Sequence, residues 1–175
     1  MCSSDLETKA TAIAFANKSD LVAIGYFDGT VRVWKFEEER LLKEFKAHSA
    51  LVWSLAFNGD DTLLASGSDD STLVLYDLQS WQPFPPLEEH TATVWSVAFA
   101  PDGKTLASAS DDSTIKLWNL ATRQAALTLK AHRGSVSGIA FTIDGKLMGS
   151  CGADGTVRLW PAPSFDEIET SKPGH

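Results

Sequence analysis

The sequence repeats every 42 residues, and this period constrains the fold more than any other feature. Phenylalanine, aspartate and an aromatic residue recur in all four units, and histidine recurs in the last three. The recurring positions are Phe15, Phe57, Phe99 and Phe141; Asp28, Asp70, Asp112 and Asp154; Trp34, Tyr76, Trp118 and Trp160; and His48, His90 and His132. Several residue classes in one register identify a tandem repeat, in which neighbouring units bury a shared core.

Each unit has the pattern of a four-stranded antiparallel meander. In the third unit, residues 93–99 and 104–109 are short apolar runs joined by the turn sequence Ala100-Pro101-Asp102-Gly103. Residues 114–118 alternate as a third strand, and residues 124–130 give a fourth. The first strand of a unit is apolar or small on both faces and is predicted to lie innermost.

The fourth strand is more polar and is predicted to lie at the rim of the sheet. In the second unit it contains Pro83, Pro85 and Pro86, and proline is confined to sheet edges because it cannot donate to a ladder.

These features resemble the WD-repeat β-propeller family. The resemblance covers about residues 11–161, and its period matches the roughly 40–45 residues typical of such repeats. It rests on the segments Ala131-His132, Ser137-Gly138-Ile139-Ala140-Phe141, Asp144-Gly145 and Asp154-Gly155-Thr156-Val157-Arg158-Leu159-Trp160. The second residue of the pair that names the family varies here, as in Trp34-Lys35 and Trp118-Asn119.

The resemblance implies an all-β fold of four WD-type propeller blades with four antiparallel strands each. We expect a single domain over residues 1–169, followed by a flexible tail at 170–175. The blades are predicted at about residues 9–46, 49–88, 91–130 and 133–169.

Four units are too few for the ring that the resemblance implies. Family propellers most often have seven or eight blades, and at a seven-blade pitch of about 51° four units pass only a little beyond half a ring. An open arc exposes the apolar faces of its end blades. Three solutions remain: two chains joined head to tail as an eight-bladed homodimer, a C-terminal piece of a longer propeller, or four blades that close by themselves.

Each of the last three units contains a histidine, a serine and an aspartate. The resemblance implies a structural hydrogen-bond network, completed by the aromatic residue of the third strand. Its members are His48, Ser66, Asp70 and Tyr76; His90, Ser108, Asp112 and Trp118; and His132, Ser150, Asp154 and Trp160. A Ser-His-Asp hydrolase is the alternative, but three equivalent copies favour an architectural role. In the first unit Leu6 and Ile24 replace histidine and serine, so we expect no such network there.

The resemblance also implies that protein partners bind one face of the propeller. On this chain that face is predicted to carry Phe27, Leu51, Trp53, Asp69, Thr93, Trp95, Asp111 and Ser135. Trp53 and Trp95 occupy equivalent positions beside acidic residues, a combination that favours a basic peptide. The alternative is that both tryptophans pack between blades.

Composition and motifs limit the other function classes. The formal net charge of −8 comes without a compensating Lys/Arg cluster, so we expect no nucleic-acid partner. The chain lacks a run of 18 apolar residues and a signal-peptide pattern, which predicts no membrane association and a cytoplasmic location. Cys2 and Cys151 are expected to be reduced, packed thiols.

No metal-ligand or phosphate-binding motif is found, so no cofactor or metal is expected. The sequence therefore predicts a non-enzymatic scaffold for protein–protein interaction. The alternative is a C-terminal regulatory or sensory fragment of a larger WD-repeat signalling protein.

Overall fold

The computed structural model describes residues 9–46 and 48–161, and within these ranges the chain is all β. Its 15 strands form four antiparallel sheets that follow one another along the chain. The first sheet contains β1 (Ala10–Phe15), β2 (Leu21–Tyr26), β3 (Thr30–Lys35) and β4 (Arg40–Lys46). The second contains β5 (Val52–Phe57), β6 (Leu63–Ser68), β7 (Leu73–Asp77) and β8 (Gln82–Pro83).

The third and fourth sheets repeat this arrangement. The third contains β9 (Val94–Phe99), β10 (Thr105–Ser110), β11 (Thr114–Asn119) and β12 (Gln124–Lys130). The fourth contains β13 (Val136–Phe141), β14 (Leu147–Gly152) and β15 (Val157–Pro161). In every sheet consecutive strands are neighbours, as in a propeller blade, and we call the sheets blades 1 to 4.

Part of the predicted fourth blade lies outside the described residues. This applies to residues 162–169, which the sequence assigns to the end of that blade, and to the predicted tail at 170–175. The same is true of Leu6 in the first unit.

The short β8 shows how proline shapes a rim strand. Its pairing with β7 involves only Gln82 and Pro83, and the chain then continues through Pro85 and Pro86 to an isolated bridge between Leu87 and Leu73. Prolines lack the N–H that a longer ladder would need.

The blades pack face to face, and three apolar clusters hold them together. One cluster joins blades 1 and 2 through residues such as Val33 and Leu55, and a second joins blades 2 and 3 through Leu75 and Val97. The third joins blades 3 and 4. The first strands β1, β5, β9 and β13 lie next to one another in this order. The blades thus form a partial propeller that is not closed.

The first strand of every blade has a β-bulge at the same position. The register with the second strand shifts across Thr11, Trp53, Trp95 and Ser137, which are 42 residues apart. A bulge leaves one residue unpaired and redirects its side chain. The repeat therefore presents four redirected side chains, one on each innermost strand.

The expectation that Cys151 is packed was wrong. Its thiol is free and exposed on β14, because this face of blade 4 has no further blade against it among the described residues. No helix long and apolar enough to span a membrane occurs in the part of the chain described above.

Candidate functional site

Buried hydrogen-bond chains lie in blades 2, 3 and 4. In blade 3, His90 Nδ1 lies 2.7 Å from the carboxylate of Asp112 and His90 Nε2 lies 2.7 Å from Ser108 Oγ. The indole N–H of Trp118 donates to the same hydroxyl oxygen at 2.8 Å. An ionised carboxylate only accepts, so Nδ1 carries the proton, and Nε2 accepts from the serine hydroxyl.

The chains of the other two blades have the same connectivity. In blade 4, His132 contacts Asp154 at 3.0 Å and Ser150 at 2.9 Å, and Trp160 donates to Ser150 at 3.0 Å. In blade 2, His48 contacts Asp70 at 3.1 Å and Ser66 at 2.7 Å.

A tyrosine replaces the tryptophan in blade 2 without breaking the chain. The Tyr76 hydroxyl lies 3.1 Å from Ser66 Oγ, so a shorter aromatic residue reaches the same atom. Burial raises the pKa of Tyr76, which keeps the hydroxyl protonated as a donor.

The sequence analysis missed a threonine in each network. Thr114 donates to Asp112 through its backbone N–H at 2.9 Å and its hydroxyl at 2.6 Å. Thr72 and Thr156 bond to Asp70 and Asp154 in the same way. The signal was present, since Thr30, Thr72, Thr114 and Thr156 keep the 42-residue step.

Several donors hold each turn aspartate in its ionised form. Burial acts to raise the pKa of Asp112, but the hydrogen bonds from Thr114 and His90 outweigh it and hold the pKa below its usual range. The same balance, with His48 as the largest lowering influence, keeps the pKa of Asp70 well below normal. Burial lowers the pKa of His90 against the opposing effect of Asp112. In blade 3 these two directions favour a neutral imidazole beside an ionised carboxylate.

Burial of the serines argues against nucleophilic catalysis. Ser66 and Ser108 are fully buried and Ser150 is nearly so, whereas an attacking hydroxyl must meet a substrate carbonyl and an oxyanion hole. The Ser108 oxygen is also occupied by the Trp118 indole. The geometry is that of a satisfied polar core, in which every member fixes the position of its neighbours.

Blade 1 has a different arrangement at the equivalent position. Ile24 lies on β2 where the other blades have serine, and the buried Trp34 Nε1 has no hydrogen-bond partner among the described residues. Asp28 accepts from the backbone N–H of Thr30 at 3.0 Å and pairs with Lys46 at 3.3 Å. In blade 1 the turn aspartate is therefore held by Thr30 and Lys46, with no histidine among the described residues that contact it.

The predicted partner-binding residues lie together where the second-to-third strand turn meets the start of the first strand. The backbone N–H of Asp69 donates to the Leu51 carbonyl, and that of Asp111 donates to the Thr93 carbonyl, both at 2.9 Å. The corresponding bonds join Phe27 to Lys9 at 2.8 Å and Ala153 to Ser135 at 2.8 Å. Each turn residue thus bonds the residue that lies two positions before the bulge of the first strand.

Side chains extend this surface from blade to blade. The Thr93 hydroxyl of blade 3 donates to the Asp69 carboxylate of blade 2 at 2.6 Å. Phe27, Asp69 and Asp111 are exposed, while Leu51, Thr93 and Ser135 are half-buried. The predicted face is thus joined between blades 2 and 3, and its acidic members Asp69 and Asp111 are exposed.

The two bulge tryptophans touch each other across the junction of blades 2 and 3. The ring centroids of Trp53 and Trp95 are 4.6 Å apart, and the ring planes are inclined by 46°. Trp53 is 37% exposed, and Trp95 is less exposed with a buried indole N–H that has no partner. The pair packs between blades, and Trp53 is also partly exposed at the surface.

Among residues 9–46 and 48–161, no group of three histidine, cysteine, aspartate or glutamate side chains is placed to hold a metal ion.

The three successive four-stranded sheets, the three-stranded sheet that follows them and their repeated turns define the class of protein as a β-propeller of partial extent. The model for the WD domain, G-beta repeat, matches four consecutive stretches, residues 3–35, 39–77, 81–119 and 123–161. These stretches cover most of the chain, which belongs to the WD-repeat family. No curated protein matches it.

The matched stretches are offset from the blades. Residues 39–77, for example, contain β4 of blade 1 and the three inner strands of blade 2. One family repeat therefore spans two blades, and the covalent chain links each blade to the next.

Proposed function

We propose that the protein is a non-enzymatic scaffold that binds a basic peptide segment of a protein partner. The binding residues are the bulge tryptophans Trp53 and Trp95 and the exposed aspartates Asp69 and Asp111. WD-repeat proteins generally serve in protein–protein interaction. The observation that carries the proposal is the Trp53–Trp95 pair, a partly exposed aromatic contact at two adjacent bulges. We call it, with Asp69 and Asp111, the aromatic–acidic patch.

The chemistry of the patch favours a cationic ligand. An aromatic face attracts an ammonium or guanidinium group within about 6 Å of the ring centroid, and the exposed carboxylates of Asp69 and Asp111 add charge complementarity. Aromatic residues of this kind dominate the energy of many interfaces.

Binding of short labelled peptides followed by fluorescence anisotropy tests the proposal. A lysine- and arginine-rich peptide is expected to bind and to lose affinity as salt rises, while an acidic peptide of equal length is not. The Asp69→Asn, Asp111→Asn double variant should bind at least about tenfold more weakly, which corresponds to about 1.4 kcal/mol.

The tryptophans need a variant pair that separates binding from folding. Trp53→Ala removes the more exposed ring and should weaken binding with an unchanged circular dichroism spectrum, while Ile143→Ala, at an exposed turn position, serves as the matched control. Equal affinity of the Asp69→Asn, Asp111→Asn variant and the parent chain for the basic peptide would contradict the proposal.

We further propose that the partial propeller associates through its end blades, with a second copy of the chain or with further propeller blades. Apolar residues on both end faces are exposed, including Ile13 and Phe15 in blade 1 and Val157 and Leu159 in blade 4. Contiguous exposed apolar surface of this kind marks association sites.

A further inference from the structure

The end faces can be compared with three internal junctions of the same molecule. Ile13 of blade 1 is 61% exposed, whereas its equivalents Leu55, Val97 and Ile139 are buried against the preceding blade. At the other end, Val157 of blade 4 is 74% exposed, whereas its equivalents in blades 1 to 3 are completely buried against the following blade. The two end faces are therefore the two halves of an ordinary blade junction.

One pair of positions shows how tightly the internal junctions fit. A Cβ atom added at Gly25 of blade 1 would lie 2.6 Å from Cγ1 of Val52, and one added at Gly67 of blade 2 would lie 2.7 Å from Cγ1 of Val94. Both distances are shorter than atoms tolerate, so at these two junctions the valine leaves no room for a side chain larger than that of glycine. At the next junction Ala109 and Val136, both fully buried, occupy these positions.

At these positions the two end faces differ from the internal faces in side-chain volume, one being larger and the other smaller. Blade 4 has the larger Cys151 where blades 1 and 2 have glycine, and blade 1 has the smaller Ala10 where blades 2 to 4 have valine. Both residues are exposed. The added volume of the cysteine on one face corresponds to the missing volume on the other, which is the complementarity that close-packed interiors require.

From this complementarity we infer that a second copy of the chain covers the end faces, with Cys151 of each copy packed against Ala10 of the other. Blade 4 of one copy follows onto blade 1 of its partner, and a two-fold axis generates the second, identical junction. The product is a closed ring of eight blades, the upper end of the usual range of about four to eight. The inference builds on the proposed association through the end blades and is independent of the aromatic–acidic patch.

Closure distinguishes this arrangement from other ways of covering apolar surface. A head-to-tail contact that does not close would propagate into filaments, whereas closure gives one defined mass. Light scattering on a gel-filtration column should give a mass of twice the 18.9 kDa chain. The Val157→Lys, Leu159→Lys variant should halve that mass, and Gln82→Lys, which adds a charge at an exposed position on the rim strand of the internal blade 2, should leave it unchanged.

A disulfide reporter tests the junction itself. In the internal junction the built Cβ of Gly25 lies 2.8 Å from the Cβ of Val52, so cysteines at the matching positions of two copies are near enough to be bridged. In a Cys2→Ser background, Ala10→Cys should give a covalent dimer through Cys151 on mild oxidation. The same change with Cys151→Ala should give none.

The outcomes separate the inference from the broader proposal. A monomer, a series of larger masses, or a dimer that forms no bridge dependent on both Ala10→Cys and Cys151 would overturn the inference. Peptide binding by the parent chain and its loss in the Asp69→Asn, Asp111→Asn variant would stand in each case.

Discussion

Blade 1 and blade 3 have the same strand order and register but differ in their polar interior. Blade 3 connects Trp118, Ser108, His90 and Asp112 by hydrogen bonds, whereas the buried indole N–H of Trp34 in blade 1 has no partner in the described part of the chain. The backbone meander therefore forms with or without the network. The comparison indicates that the apolar face and the turns determine the blade, and we predict that the network adds stability to it.

The largest expected difference between blades 1 and 3 follows from removal of the turn aspartate, Asp28 in blade 1 and Asp112 in blade 3. Asp112→Ala leaves the N–H groups of His90, Thr91 and Thr114 without their acceptor, at about 1–3 kcal/mol for each donor that stays buried. We expect a loss of a few kcal/mol in the free energy of unfolding, measured by urea denaturation.

Asp28→Ala is the matched control for that experiment. Its side chain is 37% exposed and pairs with an exposed lysine, an interaction worth roughly 0–1 kcal/mol at a surface. Equal losses for Asp112→Ala and Asp28→Ala would show that the network contributes nothing beyond the turn.

The aromatic residue of the third strand offers a smaller and sharper test. Trp118→Phe removes the donor to Ser108 and some buried volume, whereas Trp34→Phe removes a similar volume together with an N–H that has no partner. We expect Trp118→Phe to lower the free energy of unfolding by about 1 kcal/mol more than Trp34→Phe. A difference of zero in urea denaturation would mean that the indole hydrogen bond is not stabilising.

Much of the fold and of the hydrogen-bond networks can be predicted from the sequence because each position of the blade occurs in several aligned copies. Four aligned copies reveal the family, the strand order and the His-Ser-Asp register without any structure. Ile24 alone indicates that blade 1 lacks the serine of the network. Thr114 was missed because threonine is common in strands, and its second bond to Asp112 depends on the geometry of the turn.

Other features depend on neighbours that a sequence does not display. Cys151 lies in a strand pattern that predicts burial, yet its exposure is decided by whether a blade packs against it. The contact of Trp53 with Trp95 arises because two bulges in adjacent blades redirect both rings to one place. Periodicity alone identifies the equivalence of these tryptophans but not the bulge.

The smallest expected difference between blade 3 and blade 1 is in how the free energy of unfolding depends on pH. The folded protein lowers the pKa of His90, chiefly by burial, so the unfolded chain binds the proton more tightly. Its contribution to stability is therefore present above the unfolded pKa of about 6.5 and is lost as the pH falls below it. Asp112, whose pKa is also lowered, adds a second loss below its unfolded value of about 3.9.

Thermal unfolding between pH 8 and pH 5 measures the histidine part of this dependence. The midpoint of the parent chain should fall on acidification, and His90→Gln should be less stable at pH 8 but should show a shallower fall towards pH 5. Ile24→Val, in the blade without the serine, should leave the slope unchanged because no titrating group of the network is near it. An equal slope in His90→Gln and the parent would show that proton binding at blade 3 does not set the stability, and the polar interior would then matter only through its geometry.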